Sequence, residues 1–151
     1  MQRHFRFATA ADAAALSALA FRSKAHWGYS DELMALWKDD LTLSESDCSG
    51  GRVGIIEIGG EPAGFYQLGG EPPVGALMDL FVSPNHMGMG AGGQLLERAK
   101  QQGRELGYTA LSIHSDPHAE GFYAHRGAVV VGTVPSEKVP GRSLPSLLLQ
   151  L

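Results

Sequence analysis

Residues 77–100 read LMDLFVSPNHMGMGAGGQLLERAK, and this stretch organises the rest of the chain. Its first part, Leu77 to Pro84, is mostly apolar and predicts a buried strand. Four glycines follow within residues 88–93, and from Gln94 onward apolar residues recur at the spacing of an amphipathic helix. The stretch therefore predicts a strand, a glycine loop and a helix in direct succession.

The glycine loop, residues 88–93, predicts an anion site. Glycines at a helix start let consecutive backbone N–H groups point into one concavity, and the helix dipole adds partial positive charge there. The alternative is a tight strand-to-helix turn, which needs fewer than four glycines in six residues. We therefore expect the loop to bind a phosphate group.

Two common phosphate motifs fit this loop poorly. Residues 88–93 satisfy the dinucleotide pattern Gly-x-Gly-x-x-Gly. Asp116 lies at about the distance downstream where that motif has its acidic residue. In that fold, however, the first glycine follows the strand almost directly, whereas residues 84–87 intervene here and an antiparallel hairpin comes before. A P-loop needs Gly-Lys-Ser/Thr, but Gln94 follows the last glycine.

The stretch resembles the acyl-CoA pyrophosphate loop of the GNAT superfamily of N-acyltransferases, where Val-x-Pro precedes Gln/Arg-x-x-Gly-x-Gly/Ala at a helix start. The matching residues are Val82-Ser83-Pro84 and then Met87 to Gly92. Met87 replaces the Gln or Arg that the family prefers, which should weaken the site without abolishing it. The resemblance implies acetyl-CoA as cosubstrate, bound by Phe81, Val82, Met87, Gly88, Met89, Gly90, Ala91, Gly92, Gly93, Asp116 and Ala119.

Signals along the rest of the chain predict an α/β fold with the order β-α-α-β-β-β-α-β-α-β-β. A capping box at Thr9–Asp12 predicts a first helix from Ala13, and Ser30 predicts the N-cap of a second. Gly59-Gly60-Glu61 predicts a hairpin turn, and residues 41–51 are expected to form a polar connector. This order resembles the GNAT fold, a mixed sheet flanked by helices, over residues 1–151 as a single domain.

Composition narrows the class of protein. A chain of 151 residues with 44% hydrophobic and 19% charged residues has the composition of one ordinary globular domain. A net charge of −4 argues against a protein that binds nucleic acid. No apolar run is long enough to span a membrane. The N-terminus lacks a signal-peptide pattern, so we expect a cytoplasmic location. Cys48, the single cysteine, is expected at the surface of the polar connector, with a catalytic thiol as the alternative.

A second segment, Asp116 to Ala128, resembles the family motif Asn-x-x-Ala-x-x-Phe-Tyr-x-x-x-Gly-Phe. The resemblance implies that Tyr123 is the general acid, because a phenol with a pKa near 10 can protonate a departing CoA thiolate. The alternative is that Tyr123 only packs the helix. Asp116 stands where the family has a pantetheine-binding Asn; an ionised Asp accepts but does not donate a hydrogen bond, and a plain helix N-cap explains it equally well.

The acceptor side has weaker candidates. Asp79 is the carboxylate nearest in sequence to the expected reaction centre, so it could act as general base or through a water relay. It could instead face a helix or pair with a basic residue. His26, Trp27 and Tyr29 could form an acceptor pocket or cap the core between the first two helices, and Glu32 is a further candidate.

Three histidines are weak candidates for a ligand role. His114 and His118 flank Asp116 at a strand-to-helix corner, which does not make a preformed ligand set, so no metal is expected. His86 lies near the glycine loop and could assist a phosphate, but it is expected to be a solvated loop residue.

These patterns lead to one functional hypothesis and two alternatives. The hypothesis is direct transfer of an acetyl group from acetyl-CoA to a primary amine of a small molecule or peptide, in a ternary complex. A non-catalytic acyl-CoA-binding sensor or interaction protein is the main alternative, and a nucleotide-binding oxidoreductase fragment is the third. The apolar tail, residues 144–149, would let the sheet extend across a homodimer.

Overall fold

The computed structural model describes residues 2–151. Its helices and strands follow in the order β1 (Arg3–Phe7), α1 (Ala13–Ala25), α2 (Asp31–Trp37), α3 (Glu45–Ser49), β2 (Val53–Ile58), β3 (Glu61–Gly69), β4 (Val74–Val82), α4 (Ala91–Glu105), β5 (Ala110–His114), α5 (Glu120–His125), β6 (Val129–Pro135) and β7 (Ser143–Gln150). Short 3-10 turns lie at Ala10–Asp12, Pro84–His86 and Pro117–Ala119. The predicted order is confirmed, with α3 as an addition.

The strands form one mixed seven-stranded sheet in the order β1-β2-β3-β4-β5-β7-β6. Contacts divide the chain into two compact units. The first contains the residues up to Gln67 together with Asp79–Ala99, and the second contains Leu68–Met78 and Lys100–Leu151. The single domain expected over residues 1–151 stays a prediction.

In the first unit, local sequence chemistry forms the predicted elements. The hairpin between β2 and β3 turns at Gly59 and Gly60, which have φ of 62° and 82°, and these are values that glycine adopts without strain. The Ser30 Oγ accepts a hydrogen bond from Leu33 N at 3.2 Å and caps α2 as predicted. The core is made by buried side chains from α1, the hairpin and α4, with Leu16, Leu19, Ile55, Phe65, Tyr66, Leu95 and Leu96 among them.

Gly64 on β3 marks a close approach within this unit. A Cβ at this position would lie 2.7 Å from the carbonyl oxygen of Phe81 on β4 and 2.8 Å from Leu95 Cδ1 on α4. A side chain there would push against backbone as well as against Leu95. Glycine therefore lets β3 lie against the end of β4 and the first part of α4.

The second unit is built around β5. This strand pairs in parallel with β4 through Val74, Gly75 and Ala76, and antiparallel with β7. The ring of Tyr108 fills the space beside Gly75, where a Cβ would lie only 2.2 Å from the ring. The ladder between β4 and β5 covers Val74 to Ala76, whereas β4 itself continues to Val82.

The expected polar connector, residues 41–51, is wrong in part because it contains α3. The Oγ of Ser44 accepts from Asp47 N and Asp47 Oδ2 accepts from Ser44 N, each at 3.0 Å, which is a capping box that starts the helix. Cys48 within α3 is fully buried, so the expected surface cysteine is also wrong. Burial raises the pKa of its thiol.

The expectation that residues 144–149 extend the sheet across a homodimer is wrong for this strand. β7 pairs with β5 on one side and with β6 on the other, so both of its edges are used. β6 forms that end of the sheet, and its Val129 and Val131 side chains are each 62% exposed.

Within residues 2–151, no helix combines the length and the hydrophobicity that crossing a membrane requires.

Candidate functional site

The connection from β4 to α4 adopts the predicted strand, loop and helix. Ser83 N donates to Ala63 O at 2.8 Å and His86 N donates to Ser83 O at 2.9 Å, which fixes the 3-10 turn at the end of β4. The next two glycines, Gly88 and Gly90, have φ of 80° and 81°. A Cβ at either would meet no atom within 4 Å, so open space lies beside both.

The start of α4 presents backbone donors. Gln94 N donates to Gly90 O at 3.2 Å, which makes Ala91, Gly92 and Gly93 the first residues of the helix. The amides of these three residues have no acceptor within the helix, and the dipole of a 15-residue helix adds partial positive charge at this end. Donors, charge and open space together suit a phosphate or pyrophosphate group.

Arg3 on β1 contacts this loop, although the sequence interpretation did not select it. Its Nη2 donates to the carbonyl oxygen of Met89 and its Nη1 donates to Oε1 of Gln94. Met89 is 86 positions away along the chain, and no local motif links the two residues. The contact could therefore be recognised only in the folded chain.

His86 is buried, so the expected solvated loop residue is wrong. Its side chain is only 7% exposed, in the 3-10 turn between β4 and the glycine loop. Its Nδ1 has no hydrogen-bond partner in the part of the chain that the structure describes. A buried polar group left unsatisfied costs about 1–3 kcal/mol, so a polar partner from a ligand or from water fits this position.

Asp79 lies half-buried on β4, on the same side of the strand as the buried Leu77. Within residues 2–151 its carboxylate makes no hydrogen bond or ion pair, so the alternative of a basic partner is not realised. Burial, and then the negative charge of Asp47, raises the pKa of Asp79 to about 6. A carboxylate with a pKa close to neutral is suited to proton transfer.

Phe81 and Val82, expected to offer backbone groups to a ligand, are the last residues of β4. Both are half-buried, and the ring of Phe81 lies 5.8 Å from the ring of Phe65. They follow the part of β4 that pairs with β5, which ends at Ala76. Their position is therefore a strand end that leads directly into the glycine loop.

The three residues expected at an acceptor pocket separate. His26 and Trp27 are both exposed and form an edge-to-face pair with ring centroids 5.9 Å apart. Tyr29 instead packs edge-to-face on Trp37 at 4.9 Å, with Lys24 Nζ 5.1 Å from the Tyr29 ring centroid. Tyr29 thus packs against α2, whereas Trp27 is 43% exposed.

Tyr29 also lines a cavity of about 670 Å³ formed by α1, α2 and the residues that follow α2. The size is typical of a small-molecule pocket. The Asp31 side chain at this cavity makes no hydrogen bond or ion pair within residues 2–151. The apolar and charged lining residues are Ala18, Phe21, Ala25, Met34, Ala35 and Leu41, together with Arg22, Asp31 and Lys38.

In the second unit, Asp116 uses both carboxylate oxygens within the protein. Oδ1 accepts from His118 N at 2.9 Å and lies 2.8 Å from His118 Nδ1, while Oδ2 lies 3.5 Å from Arg142 Nη2. The bond from His118 N makes Asp116 the N-cap of the turn at Pro117–Ala119, as expected. Ala119, the other expected cofactor residue here, ends that turn and is half-buried.

Tyr123 lies on α5 and is 6% exposed, whereas Phe122 is half-buried. The two rings meet edge-to-face with centroids 5.1 Å apart. Arg126 covers Phe122, with its guanidinium carbon 4.1 Å from the ring centroid.

Across residues 2–151, no group of three or more His, Cys, Asp or Glu side chains could hold a metal ion.

Three solved structures illustrate what this chain is similar to. A GCN5-related N-acetyltransferase from Rhodopseudomonas palustris gives a TM-score of 0.83 at 24% identity, covering 100% of this chain and 97% of that one. PaiA N-acetyltransferase from Thermoplasma acidophilum, in complex with coenzyme A, gives 0.77 at 16% identity with full coverage of both chains. The putative acetyltransferase yncA from Salmonella typhimurium, with its cofactor acetyl-CoA, gives 0.71 at 22% identity, covering 99% and 94%.

Comparison with curated protein sequences gives no match. The profile described as the acetyltransferase (GNAT) family matches residues 14–128, which is more than half of the chain and includes the strand-loop-helix stretch. The chain therefore belongs to the GNAT family of acetyltransferases.

Proposed function

We propose that this protein transfers an acetyl group from acetyl-CoA to a primary amine of a small molecule or peptide, by direct attack in a ternary complex. The observation that carries the proposal is the start of α4. There the amides of Ala91, Gly92 and Gly93 lack helix acceptors, next to open space at Gly88 and Gly90. This arrangement supports binding of the CoA pyrophosphate, with residues 87–93 as the loop.

The end of β4 supports a place for the pantetheine arm. The ladder with β5 ends at Ala76, whereas Phe81 and Val82 lie further along β4. Backbone groups beyond the end of a ladder are available to the amides of an extended ligand. In similar proteins coenzyme A or acetyl-CoA is bound, as in the Thermoplasma and Salmonella structures, which favours the same ligand here.

In the proposed reaction one side chain accepts a proton and another donates one. The amine nitrogen forms a bond to the thioester carbonyl carbon, the carbon–sulfur bond breaks, and the nitrogen loses a proton. Asp79, whose pKa is about 6, is ionised at neutral pH and accepts that proton directly or through water. Tyr123 donates its phenolic proton to the departing sulfur.

The cavity beside α1 and α2 suits the acceptor. Its apolar wall, which includes Phe21 and Met34, would cover the body of an amine. Asp31 has no ion-pair partner within residues 2–151 and would attract a cationic ammonium group. Tyr29 is the one member of the expected acceptor set that lines this cavity.

Two measurements test the proposal. Isothermal titration with acetyl-CoA tests the loop, and release of free CoA thiol over a panel of small amines and peptides tests the transfer. Binding without amine-dependent thiol release would favour the acyl-CoA sensor. Absence of acetyl-CoA binding together with binding of NAD would favour the oxidoreductase alternative and overturn the proposal.

Self-association and location remain predictions. A homodimer formed by sheet extension would use β6, because β7 is paired on both edges. Light scattering after size exclusion tests it. The expected cytoplasmic location is checked by fractionation of the cells that express the protein.

A further inference from the structure

Arg3 joins two parts of the strand-loop-helix stretch through one guanidinium group. One nitrogen donates to the Met89 carbonyl oxygen inside the glycine loop, and the other donates to Gln94 in the first turn of α4. Arginine can do this because its donors form a rigid planar fork. The loop and the helix start are thus held at a fixed distance from β1.

The alternation of β1 explains why Arg3 reaches α4. Odd-numbered residues of the strand share one face, and the next of them, Phe5, lies under the guanidinium of Arg98 at 4.6 Å. Arg3 and Phe5 therefore both contact the stretch from residue 89 to residue 98. The even residue Arg6 points the other way and contacts Asp12 at 2.8 Å.

The loop needs such an anchor because its own sequence gives little rigidity. Gly88 and Gly90 are exposed, have positive φ and have no atom near a Cβ position, so no side-chain packing restrains them. Glycine loses more conformational entropy on ordering than any other residue. A ligand that binds the loop amides bears that cost unless the protein has already ordered the loop.

We propose that Arg3 is a positioning residue that pre-orders the pyrophosphate loop for acetyl-CoA. The inference rests on the proposed function, because it concerns the same loop. It adds a requirement that the loop sequence does not contain: cofactor affinity depends on a side chain of the edge strand β1. Arg3 acts through the Met89 carbonyl and not through contact with the reacting atoms.

Arg6 supplies a matched control on the same strand. It is paired with both carboxylate oxygens of Asp12 at 2.8 Å and lies 3.4 Å from Glu57. These partners make Arg6 a link between β1, the turn before α1 and β2. The change Arg6→Gln should lower stability while leaving acetyl-CoA affinity in the folded protein unchanged.

The experiment uses the full chain and measures CoA affinity by calorimetry, and KM and kcat for acetyl-CoA with an amine from the panel. Arg3→Gln should weaken CoA binding about fivefold, as expected for loss of a hydrogen bond between a charged donor and a carbonyl. KM for acetyl-CoA should rise similarly while kcat stays unchanged. Gln94→Leu should weaken binding less, and the double variant should bind no more weakly than Arg3→Gln alone.

Arg3→Lys separates positioning from charge. Lysine keeps the charge but lacks the fork, so partial recovery that persists at high salt supports positioning. Complete recovery that disappears at high salt would mean that Arg3 merely attracts phosphate, and would overturn the inference.

Wild-type protein that binds no CoA would overturn the proposed function. Wild-type binding with an unchanged dissociation constant in folded Arg3→Gln would overturn this inference alone. If Arg3→Gln does not fold, unchanged CoA affinity in both Arg3→Lys and Gln94→Leu would likewise overturn this inference.

Discussion

Asp79 on β4 interacts electrostatically with a second carboxylate, Asp47 on α3, instead of with a cation. Burial comes first and the charge of Asp47 second in raising the pKa of Asp79 to about 6. Ionised Asp79 is thus the form suited to accept a proton and also the form that the fold disfavours. Activity and stability should respond to this group in opposite directions.

Asp79→Asn should stabilise the protein and slow acetyl transfer. The unfolded carboxyl titrates near pH 4 and the folded one near pH 6, so the folded state holds the extra proton between these values. Stability from this group therefore falls as pH rises from about 4 to 6. At pH 7 the variant should gain about 1–3 kcal/mol in the free energy of unfolding, and the gain should vanish below pH 4.

Denaturant unfolding at several pH values measures the gain, and kcat/KM against pH measures the activity. The wild type should lose activity below about pH 6, and the variant should lack this limb. Asp47→Asn is the control, because it removes only the second charge and should move the limb to lower pH. An activity limb that is identical in wild type and Asp79→Asn would contradict the base role.

Gly90→Asp should weaken cofactor binding. The side chain would enter the open space beside the loop amides with a negative charge, against the pyrophosphate and the helix dipole. Acetyl-CoA affinity should fall at least about tenfold, equivalent to roughly 1.4 kcal/mol. Calorimetry on the folded variant measures this.

Gly51→Asp is the matched control for this substitution. Gly51 has a φ of 80° and open space at its Cβ position, as Gly90 does, but it precedes β2. The backbone strain should be similar in both variants, whereas only Gly90→Asp should lose acetyl-CoA. Equal affinities of the two variants for acetyl-CoA would contradict a phosphate site at this loop.

Met87→Arg should tighten acetyl-CoA binding by restoring a cation beside the loop. Met87 follows the 3-10 turn Pro84–His86 and is half-buried, so a longer side chain can extend from it toward solvent. The gain should shrink at high salt because it comes from charge attraction. A dissociation constant that is unchanged at low salt would count against the alignment of residues 87–92 with the family loop.

Tyr123→Phe should slow the chemical step while leaving acetyl-CoA affinity almost unchanged. The ring and its contact with Phe122 stay, but the proton for the departing thiolate is lost. General acid catalysis contributes about 10² to 10⁴ in rate, and kcat should drop by that order.

Tyr108→Phe tests whether loss of a buried phenol alone explains the result. The Tyr108 hydroxyl donates to Gly69 O at 3.1 Å and to Gly70 O at 2.7 Å. This variant should lose about 1 kcal/mol or more in the free energy of unfolding without a change in kcat. Unchanged turnover in Tyr123→Phe, with chemistry rate-limiting, would leave Tyr123 as a packing residue.

Local chemistry made much of the fold readable from the sequence. The cap at Ser30, the hairpin at Gly59-Gly60 and the loop at Gly88 and Gly90 depend on backbone conformations that nearby residues favour directly. Element order follows from such signals, and so does the prediction of an anion site at the start of α4. The segment 41–51 contains the five-residue helix α3, which is too short to show the apolar periodicity that predicts a helix from sequence.

Tertiary structure decided the features that depend on residues far apart in the chain. The sequence by itself determined that a glycine loop opens a helix after β4, because glycine conformation and helix polarity are local properties. Only folding brought Arg3 to Met89, buried His86 and raised the pKa of Asp79. Burial and electrostatic neighbours are set by how elements pack, and no spacing along the chain encodes them.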